Sequence, residues 1–303
     1  MKRQLPRTDA MRGVALVLVL WAIALMAVLL GSFAMIAHTE NLESRHVFDT
    51  VTARYDAEAG LERAVFEMRN ADPAQRWIAD GRPYEFEFDG AQVSVEVTDE
   101  AGKIDLNSAD ATMLTSLFIS VGVQLDRAQA LADAIQDWRD QDDLPREQGA
   151  EANEYKGAGF AYVPRNAPLQ TVSEVQQVLG MNYDLFQKIE PAVTIYSNTG
   201  MPNPAYAPLE ALRALPNMTD DLAQQIIQLR QSVIPGQPGA QPLVLPDGTP
   251  IVANGGGLTY SVKSRATLPN GVSTVLDASI RLGGVGASGR PYTVLRWRDG
   301  EAS

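Results

Sequence analysis

The sequence predicts an α+β protein in which a long N-terminal helix packs on an antiparallel sheet and a large α-helical domain is inserted between the strands. Three observations predict this arrangement. An uncharged apolar run near the N-terminus continues into an amphipathic helical pattern. Alternating apolar and polar residues occur near residue 90 and again near the C-terminus. Helical spacing of apolar residues fills the region between these two sets of strands.

The composition disfavours several classes of function. The 303-residue chain has a formal net charge of −12, which argues against a nucleic-acid partner because phosphate binding requires clustered Lys and Arg. It contains no cysteine, so its loops are held by packing or by a metal and not by disulfides. Its two histidines, His38 and His46, leave little material for a zinc enzyme or a Ser-His-Asp triad. We therefore expect no enzymatic activity.

Residues 14–37 form an apolar run without a charge, in which Ser32 is the one polar side chain. At about 1.5 Å per residue this run is long enough to cross the roughly 30 Å hydrocarbon core of a bilayer. Basic residues precede it: Lys2, Arg3, Arg7 and Arg12. The excess of positive charge predicts that residues 1–13 stay in the cytoplasm and that the rest of the chain lies outside it.

Two other interpretations of this run compete with a processed membrane helix. A secretory signal has a shorter apolar stretch of about 7–15 residues followed by a small-residue cleavage site, and no such site follows Ala37. A plain membrane anchor explains the hydrophobicity. It does not explain why Arg12 and Gly13 stand directly before the apolar run.

The helical pattern continues beyond the membrane to about Asn70, and Pro73 then ends it. An apolar stripe at three- to four-residue spacing, with a break near residues 57–59, is predicted to face the sheet. Its members are Val47, Val51, Tyr55, Leu61, Val65 and Met68. A continuous helix over residues 14–70 would be about 85 Å long, which is more than a simple anchor requires.

Two groups of strands are predicted. Residues 82–98 alternate apolar and polar side chains on both sides of Asp89-Gly90, which is typical of a β-hairpin. Residues 258–268, 272–282 and 291–298 show the same alternation and are separated by turn residues. These strands predict one antiparallel sheet that packs on the N-terminal helix.

The region between the strands, residues 108–232, repeats a pattern of two helical stretches joined by a turn. The three units resemble helix-hairpin-helix motifs, with turns at residues 117–119, 180–182 and 216–218. Such motifs often bind DNA through turn glycines and nearby cations, but no basic cluster accompanies these turns. A helical packing module is therefore the favoured interpretation.

An acidic loop follows the first of these units. Asp-x-Asp spacing supplies two carboxylates that can share one hard cation, and calcium takes six to eight oxygen ligands. The candidate ligands are Asp140, Asp142, Glu151 and Glu154, followed by Asp137 and Asp143. A solvated acidic loop without a ligand and a two-carboxylate hydrolase are the alternatives.

The junction of leader and apolar run resembles the type IV prepilin family. Its members are cut after a glycine that precedes the apolar segment, so the resemblance implies that prepilin peptidase cleaves between Gly13 and Val14. A glycine suits a peptidase subsite that closes on the backbone because it has no Cβ. The family also implies methylation of the new N-terminus.

One position departs from the family pattern. Counting from Val14, the fifth residue is Leu18, where most members have the glutamate that neutralises the N-terminal amine of a neighbouring subunit. A subunit without this glutamate suits the tip of a filament, and its absence resembles the K-type minor pseudopilins of type II secretion systems. The alternative is that Leu18 is an ordinary lipid-facing residue of a plain anchor.

The helical region extends the resemblance to K-type pseudopilins. The matching positions are Asp137 to Asp143, Gly149-Ala150-Glu151, Glu154-Tyr155, Tyr162, Pro164, Asn166, Pro168 and Gly180-Met181. The resemblance implies bound calcium in this domain, other minor pseudopilins as partners in a tip complex, and an inner-membrane location with a periplasmic C-terminal domain. It also implies a role in pseudopilus assembly and protein export across the outer membrane.

These inferences divide the chain into a leader (1–13), a transmembrane segment (14–37), a periplasmic helix with the first hairpin (38–107), an inserted helical domain (108–232) and a loop with the C-terminal strands (233–303). Two other functions remain open. The chain is alternatively a minor pilin of a type IV pilus or DNA-uptake pseudopilus, or a membrane-anchored periplasmic enzyme.

Overall fold

The computed structural model describes residues 11–72, 74–233, 244–251, 257–283 and 291–301. The chain divides into two compact units, residues 1–52 and 53–303. Most of the predicted leader, Pro73 and much of the predicted loop that begins at residue 233 lie outside the described residues.

A single helix, α1, runs from Met11 to Met68. In the first unit it is the one element described, and the side chains of residues 14–48 are exposed throughout. The helix continues through residues 57–59, where the apolar stripe is interrupted. Small residues there allow close packing: a Cβ on Gly60 would meet the Oγ atom of Ser264 at 2.1 Å.

The described part of the second unit contains six further α-helices and seven strands. The helices are α2 (Ala111–Ser120), α3 (Leu125–Arg139), α4 (Ala152–Gly157), α5 (Tyr183–Ile189), α6 (Leu209–Arg213) and α7 (Asp220–Ser232). The strands are β1 (Asp80–Phe88), β2 (Ala91–Asp99), β3 (Ile104–Asp105), β4 (Val193–Thr194), β5 (Thr259–Thr267), β6 (Ser273–Leu282) and β7 (Tyr292–Glu301).

Five strands form an antiparallel sheet in the order β1-β2-β5-β6-β7. The predicted hairpin turn at Asp89-Gly90 is confirmed, and both residues adopt the positive φ values, 49° and 83°, that such a turn requires. One face of the sheet packs on α1 from residue 57 onward. This first core contains Leu61, Val65, Val95, Val262 and Ile280. The predicted packing of helix on sheet is therefore confirmed.

The helices of residues 108–232 surround a second, separate core. Its largest fully buried side chains include Leu114, Leu117, Phe118, Leu131, Ile135, Tyr155 and Leu212. The sequence did not predict the parallel pair β3 and β4, in which Ile104 pairs with Val193. Strands of two residues are too short for alternation to reveal them.

Left-handed residues mark the predicted hairpins. Gly122 (φ 92°) lies between α2 and α3, Gly180 (φ 86°) precedes α5, and Asn217 (φ 57°) lies between α6 and α7. The α2–α3 and α6–α7 units have two helices each, as predicted. The turn predicted at residues 117–119 is wrong, because these residues lie within α2, where Leu117 and Phe118 are buried in the core. In the middle repeat, whose turn contains Gly180, the first helix is a 3₁₀ helix, Val172–Gln177.

Candidate functional site

Asp137 closes the acidic loop from the end of α3. Its side chain is fully buried, and its Oδ2 atom accepts hydrogen bonds from the backbone N–H of Ala150 (2.8 Å) and of Arg146 (3.1 Å). The loop passes so close that a Cβ on Gly149 would lie 1.9 Å from this oxygen. Burial raises the pKa of Asp137, although the two N–H donors oppose that shift.

Arg146 places a positive charge among the acidic side chains. Its Nε atom lies 3.3 Å from Asp137 Oδ1, and its Nη2 atom lies 3.2 Å from Asp140 Oδ2. In the structure it neutralises the two predicted ligands at the end of α3.

Glu151 is buried directly before α4, where it and Glu154 take the arrangement of a capping box. Both of its carboxylate oxygens, together with Asp140 Oδ1, are buried without a hydrogen-bond partner among the described residues. Burial raises the pKa of Glu151 to about 7, and repulsion from Asp137, Asp140 and other loop acids adds to the shift. Near neutral pH a nearby cation would therefore favour its ionised form.

The other candidate ligands make local hydrogen bonds. Asp142 Oδ1 accepts from the backbone N–H of Leu144 (3.0 Å), and Asp143 Oδ1 accepts from the amide of Asn166 (2.8 Å). Glu154 Oε2 accepts from the backbone N–H of Glu151 (2.9 Å) at the start of α4. Within the described ranges, no three acidic or histidine side chains converge as metal ligands. Joint coordination of calcium by the six residues stays a prediction.

An aromatic ridge on the second part of α1 forms another candidate site, an assembly surface. Tyr55 and Phe66 are 64% and 66% exposed, although neighbouring Ala57 and Leu61 are buried against the sheet. The sequence placed Tyr55 in the sheet-facing stripe, together with Val47 and Val51, and this is wrong because all three are exposed. Leu61, Val65 and Met68 are buried as predicted. The apolar stripe predicted from the sequence did not include Phe66.

The first part of α1 has the composition of a membrane-spanning helix. Its most apolar 18-residue window has a mean hydropathy of 2.9, and none of that window is buried. Leu18 is 65% exposed. Gly13 lies within α1, directly before this apolar segment.

Comparison with known proteins finds one group of proteins to which the chain is similar. Residues 94–198, from β2 past β4, match the family model described as type II secretion system protein K. A type II secretion system protein K of Klebsiella pneumoniae is 28% identical over 246 residues, which cover 72% of this chain and 75% of the relative. A putative protein K of Escherichia coli strain K12 is 27% identical over 244 residues with the same coverage.

The chain is thus similar to type II secretion system protein K over most of its length. A solved structure, that of the GspK-GspI-GspJ complex of enterotoxigenic Escherichia coli, contains a chain with a similar fold. The TM-score is 0.56 at 19% sequence identity, and the match covers 88% of this chain and 99% of that chain. The K-type resemblance predicted from the sequence is confirmed. The segment matched by the family model contains the acidic loop.

Proposed function

We propose that the chain acts as a minor pseudopilin at the tip of the type II secretion pseudopilus, where it assists pseudopilus assembly and protein export across the outer membrane. The observation that carries this proposal is the aromatic ridge of Tyr55 and Phe66 on α1. Large apolar side chains on the outer face of a packed helix are typical of a surface that another protein covers. The family model and the relative that the chain matches are both described as type II secretion system protein K.

Other minor pseudopilins are the partners we propose. GspK, whose fold this chain shares, is described in complex with GspI and GspJ. By extension, subunits of the I and J types would cover the aromatic ridge of α1. Assembly would then bury side chains that are now more than half exposed, and the hydrophobic effect would favour it.

Two features support a position at the tip. Leu18 occupies the place where shaft subunits of prepilin-like filaments have a glutamate, so a contact with one neighbour is missing. The helical domain of residues 108–232 adds a separate core to the sheet domain, and its bulk does not suit a stacked shaft subunit.

Copurification with its partners tests the proposed assembly role. The full chain carrying Phe66→Glu, coexpressed with I-type and J-type minor pseudopilins, should retain no more than about a tenth of the wild-type complex, because a charge would enter an apolar contact. Ile119→Glu is a matched control, since Ile119 is a comparably large apolar residue that is 46% exposed on α2. Equal recovery of both variants would contradict the proposed surface.

We propose that prepilin peptidase cuts the precursor between Gly13 and Val14, leaving the mature chain in the inner membrane with its large domain in the periplasm. The exposed apolar segment after Gly13 and the basic residues before it support this orientation. Sequencing the N-terminus of the chain from cells that contain the peptidase should give Val14. An intact Met1, or a cut after Ala37, would refute cleavage at Gly13.

We propose that the acidic loop holds a structural calcium ion. Glu151 and Asp140 fit this role because their buried, unpartnered oxygens are hard anionic donors of the kind that calcium prefers. Asp137, Asp142, Asp143 and Glu154 would complete the set of donors. When bound, the ion would supply positive charge that stabilises the loop. The side chain of Arg146, which contacts Asp137 and Asp140, would move away from these two carboxylates when the ion binds.

A further inference from the structure

A cleft of about 710 Å³ lies between the five-stranded sheet and the helices of residues 108–232. Its floor is the face of β2, β5, β6 and β7 that points away from α1, and its walls include parts of the 3₁₀ helix Val172–Gln177, of α6 and of α7. The cleft thus lies between the two hydrophobic cores. Ligand sites commonly occupy clefts of about 300–1,000 Å³ where two packed units meet.

The cleft differs in charge from the rest of the chain. Among the described residues, six cationic and five acidic side chains line it, although the whole chain has 25 basic and 37 acidic residues. The cations are Lys103, Arg230, Lys263, Arg265, Arg296 and Arg298. The cleft therefore carries a small excess of positive charge on an acidic molecule.

Most of these charges are paired within the cleft. Asp277 lies 2.7 Å from Arg296 and 3.0 Å from Arg298. Arg298 also lies 3.3 Å from Glu190. Two further ion pairs satisfy more of the lining charges, Lys103–Glu100 (2.9 Å) and Arg230–Asp80 (3.6 Å).

Of the described lining charges, Lys263, Arg265 and Glu96 remain outside these pairs. The strand register places Glu96 and Asp277 directly opposite Lys263 on its two neighbouring strands. Arg265 lies opposite an uncharged residue on both sides. Because Glu96 is the one acid left in the described lining, and it stands beside Lys263, the cleft lacks a carboxylate for Arg265.

The chemistry of Arg265 favours a carboxylate as the missing group. Its side chain is half-buried on the cleft floor. A guanidinium donates two parallel N–H bonds to one carboxylate, and reduced contact with water strengthens such a pair. Apolar side chains on the facing walls, Val172, Leu209 and Ile227, favour a ligand that has apolar groups beside its carboxylate. An acidic residue with apolar neighbours in a peptide has this chemistry.

We infer that the cleft binds a peptide segment of another protein, in which an acidic side chain pairs with Arg265 and neighbouring apolar side chains contact the helical walls. The peptide would supply the carboxylate that the cleft lacks, and its apolar groups would be removed from water. This inference does not depend on the aromatic ridge, because neither Tyr55 nor Phe66 lines the cleft.

Selection from a library of random linear peptides tests this inference. The full chain in detergent should enrich peptides that carry an acidic residue next to large apolar residues. Arg265→Gln should lose the preference for acidic residues, because glutamine has no charge to pair with a carboxylate. Arg265→Lys should keep part of it, since lysine retains the charge without the planar fork of donors. No enrichment by the wild type, or enrichment of peptides without acids, would overturn the inference.

Fluorescence anisotropy with one enriched peptide measures the contribution of Arg265. Binding to Arg265→Gln should be at least about tenfold weaker than binding to the wild type. The same peptide with glutamine in place of its acid should bind the wild type as weakly. Arg127→Gln is the matched control, since Arg127 is an exposed arginine of α3 that does not line this cleft. Equal affinity of Arg265→Gln and Arg127→Gln for the acidic peptide would refute the pairing.

Free glutamate distinguishes a peptide from a small carboxylate. At the concentration that half-saturates the cleft with peptide, glutamate should not displace the peptide, because it has no apolar neighbours. Displacement would show that a small carboxylate is sufficient and would overturn the peptide as the ligand. Phe66→Glu should bind the peptide as the wild type does, so failure of the assembly surface and failure of the cleft can be told apart.

Discussion

Glu151 shows how a single residue links the stability of the chain to its proposed ligand. Its two oxygens are buried and have no partner among the described residues, and its pKa is raised to about 7. Because the folded state raises this pKa above its usual value, the folded chain binds the proton more tightly than the unfolded chain does. The resulting stability is fully present below the ordinary pKa of a glutamate and is lost as the pH rises through 7.

We therefore expect a pH-dependent melting temperature in the presence of a chelator. The wild-type chain should melt at progressively lower temperature between pH 5 and pH 8, and Glu151→Gln should flatten this dependence because glutamine does not titrate. Added calcium should raise the wild-type melting temperature most at pH 8, where the carboxylate is ionised, and should raise that of Glu151→Gln less.

Thermal melts of the two proteins across this pH range, with chelator and with calcium, check both expectations. Glu147→Gln is the control, since Glu147 is an exposed glutamate of the same loop. The absence of any calcium effect on the wild type would favour the solvated-loop interpretation.

At the scale of elements, the connection between α3 and α4 depends on one close backbone approach. Asp137, at the end of α3, accepts hydrogen bonds from the loop at Arg146 and Ala150, and Gly149 passes against its carboxylate. The loop is thus closed by a buried side chain of the preceding helix. This contact holds the loop without a disulfide, in a chain that has no cysteine.

Gly149→Ala should destabilise the second unit by about 2 kcal/mol, because the new methyl group would displace Asp137 from its N–H donors. Denaturant unfolding of the full chain in detergent measures the change. Gly157→Ala provides the control, since no atom lies within 4 Å of a Cβ there. An effect of equal size in both variants would show that the contact with Asp137 is unimportant.

At the scale of the whole molecule, net charge separates the proposed function from its first alternative. The helix-hairpin-helix-like units are present, but they belong to a chain with a formal net charge of −12. Two cations, Arg127 and Lys188, line a cavity of about 270 Å³ between the first two hairpins, and Asp184 lines it as well. Overall repulsion of phosphate therefore opposes the local attraction.

We expect no shift of duplex or single-stranded DNA by the full chain in a gel at low salt, where electrostatic binding is strongest. A helix-hairpin-helix protein of known DNA affinity serves as the positive control. Clear retardation that Arg127→Ala abolishes would favour the DNA-uptake pseudopilus instead.

Local patterns were sufficient to predict most of the fold. The hairpin predicted at residues 82–98 is observed at residues 80–99, because alternation and an Asp-Gly turn are both properties of adjacent residues. The C-terminal strands and the paired helices of the first and third repeat units follow for the same reason. The short parallel pair β3 and β4 joins residues about ninety positions apart, and no local pattern reports such a contact.

The sequence by itself determined the apolar helix after Gly13, the α+β order of elements and the family resemblance, since all of these depend on neighbouring residues. Only the tertiary structure decided which face of α1 is covered, because helical spacing does not reveal where the sheet begins to pack. It also decided that Arg146 neutralises Asp137 and Asp140, whereas Glu151 and Asp56 keep unpartnered oxygens among the described residues. The energy of a buried charge depends on the groups that folding brings to it from elsewhere in the chain.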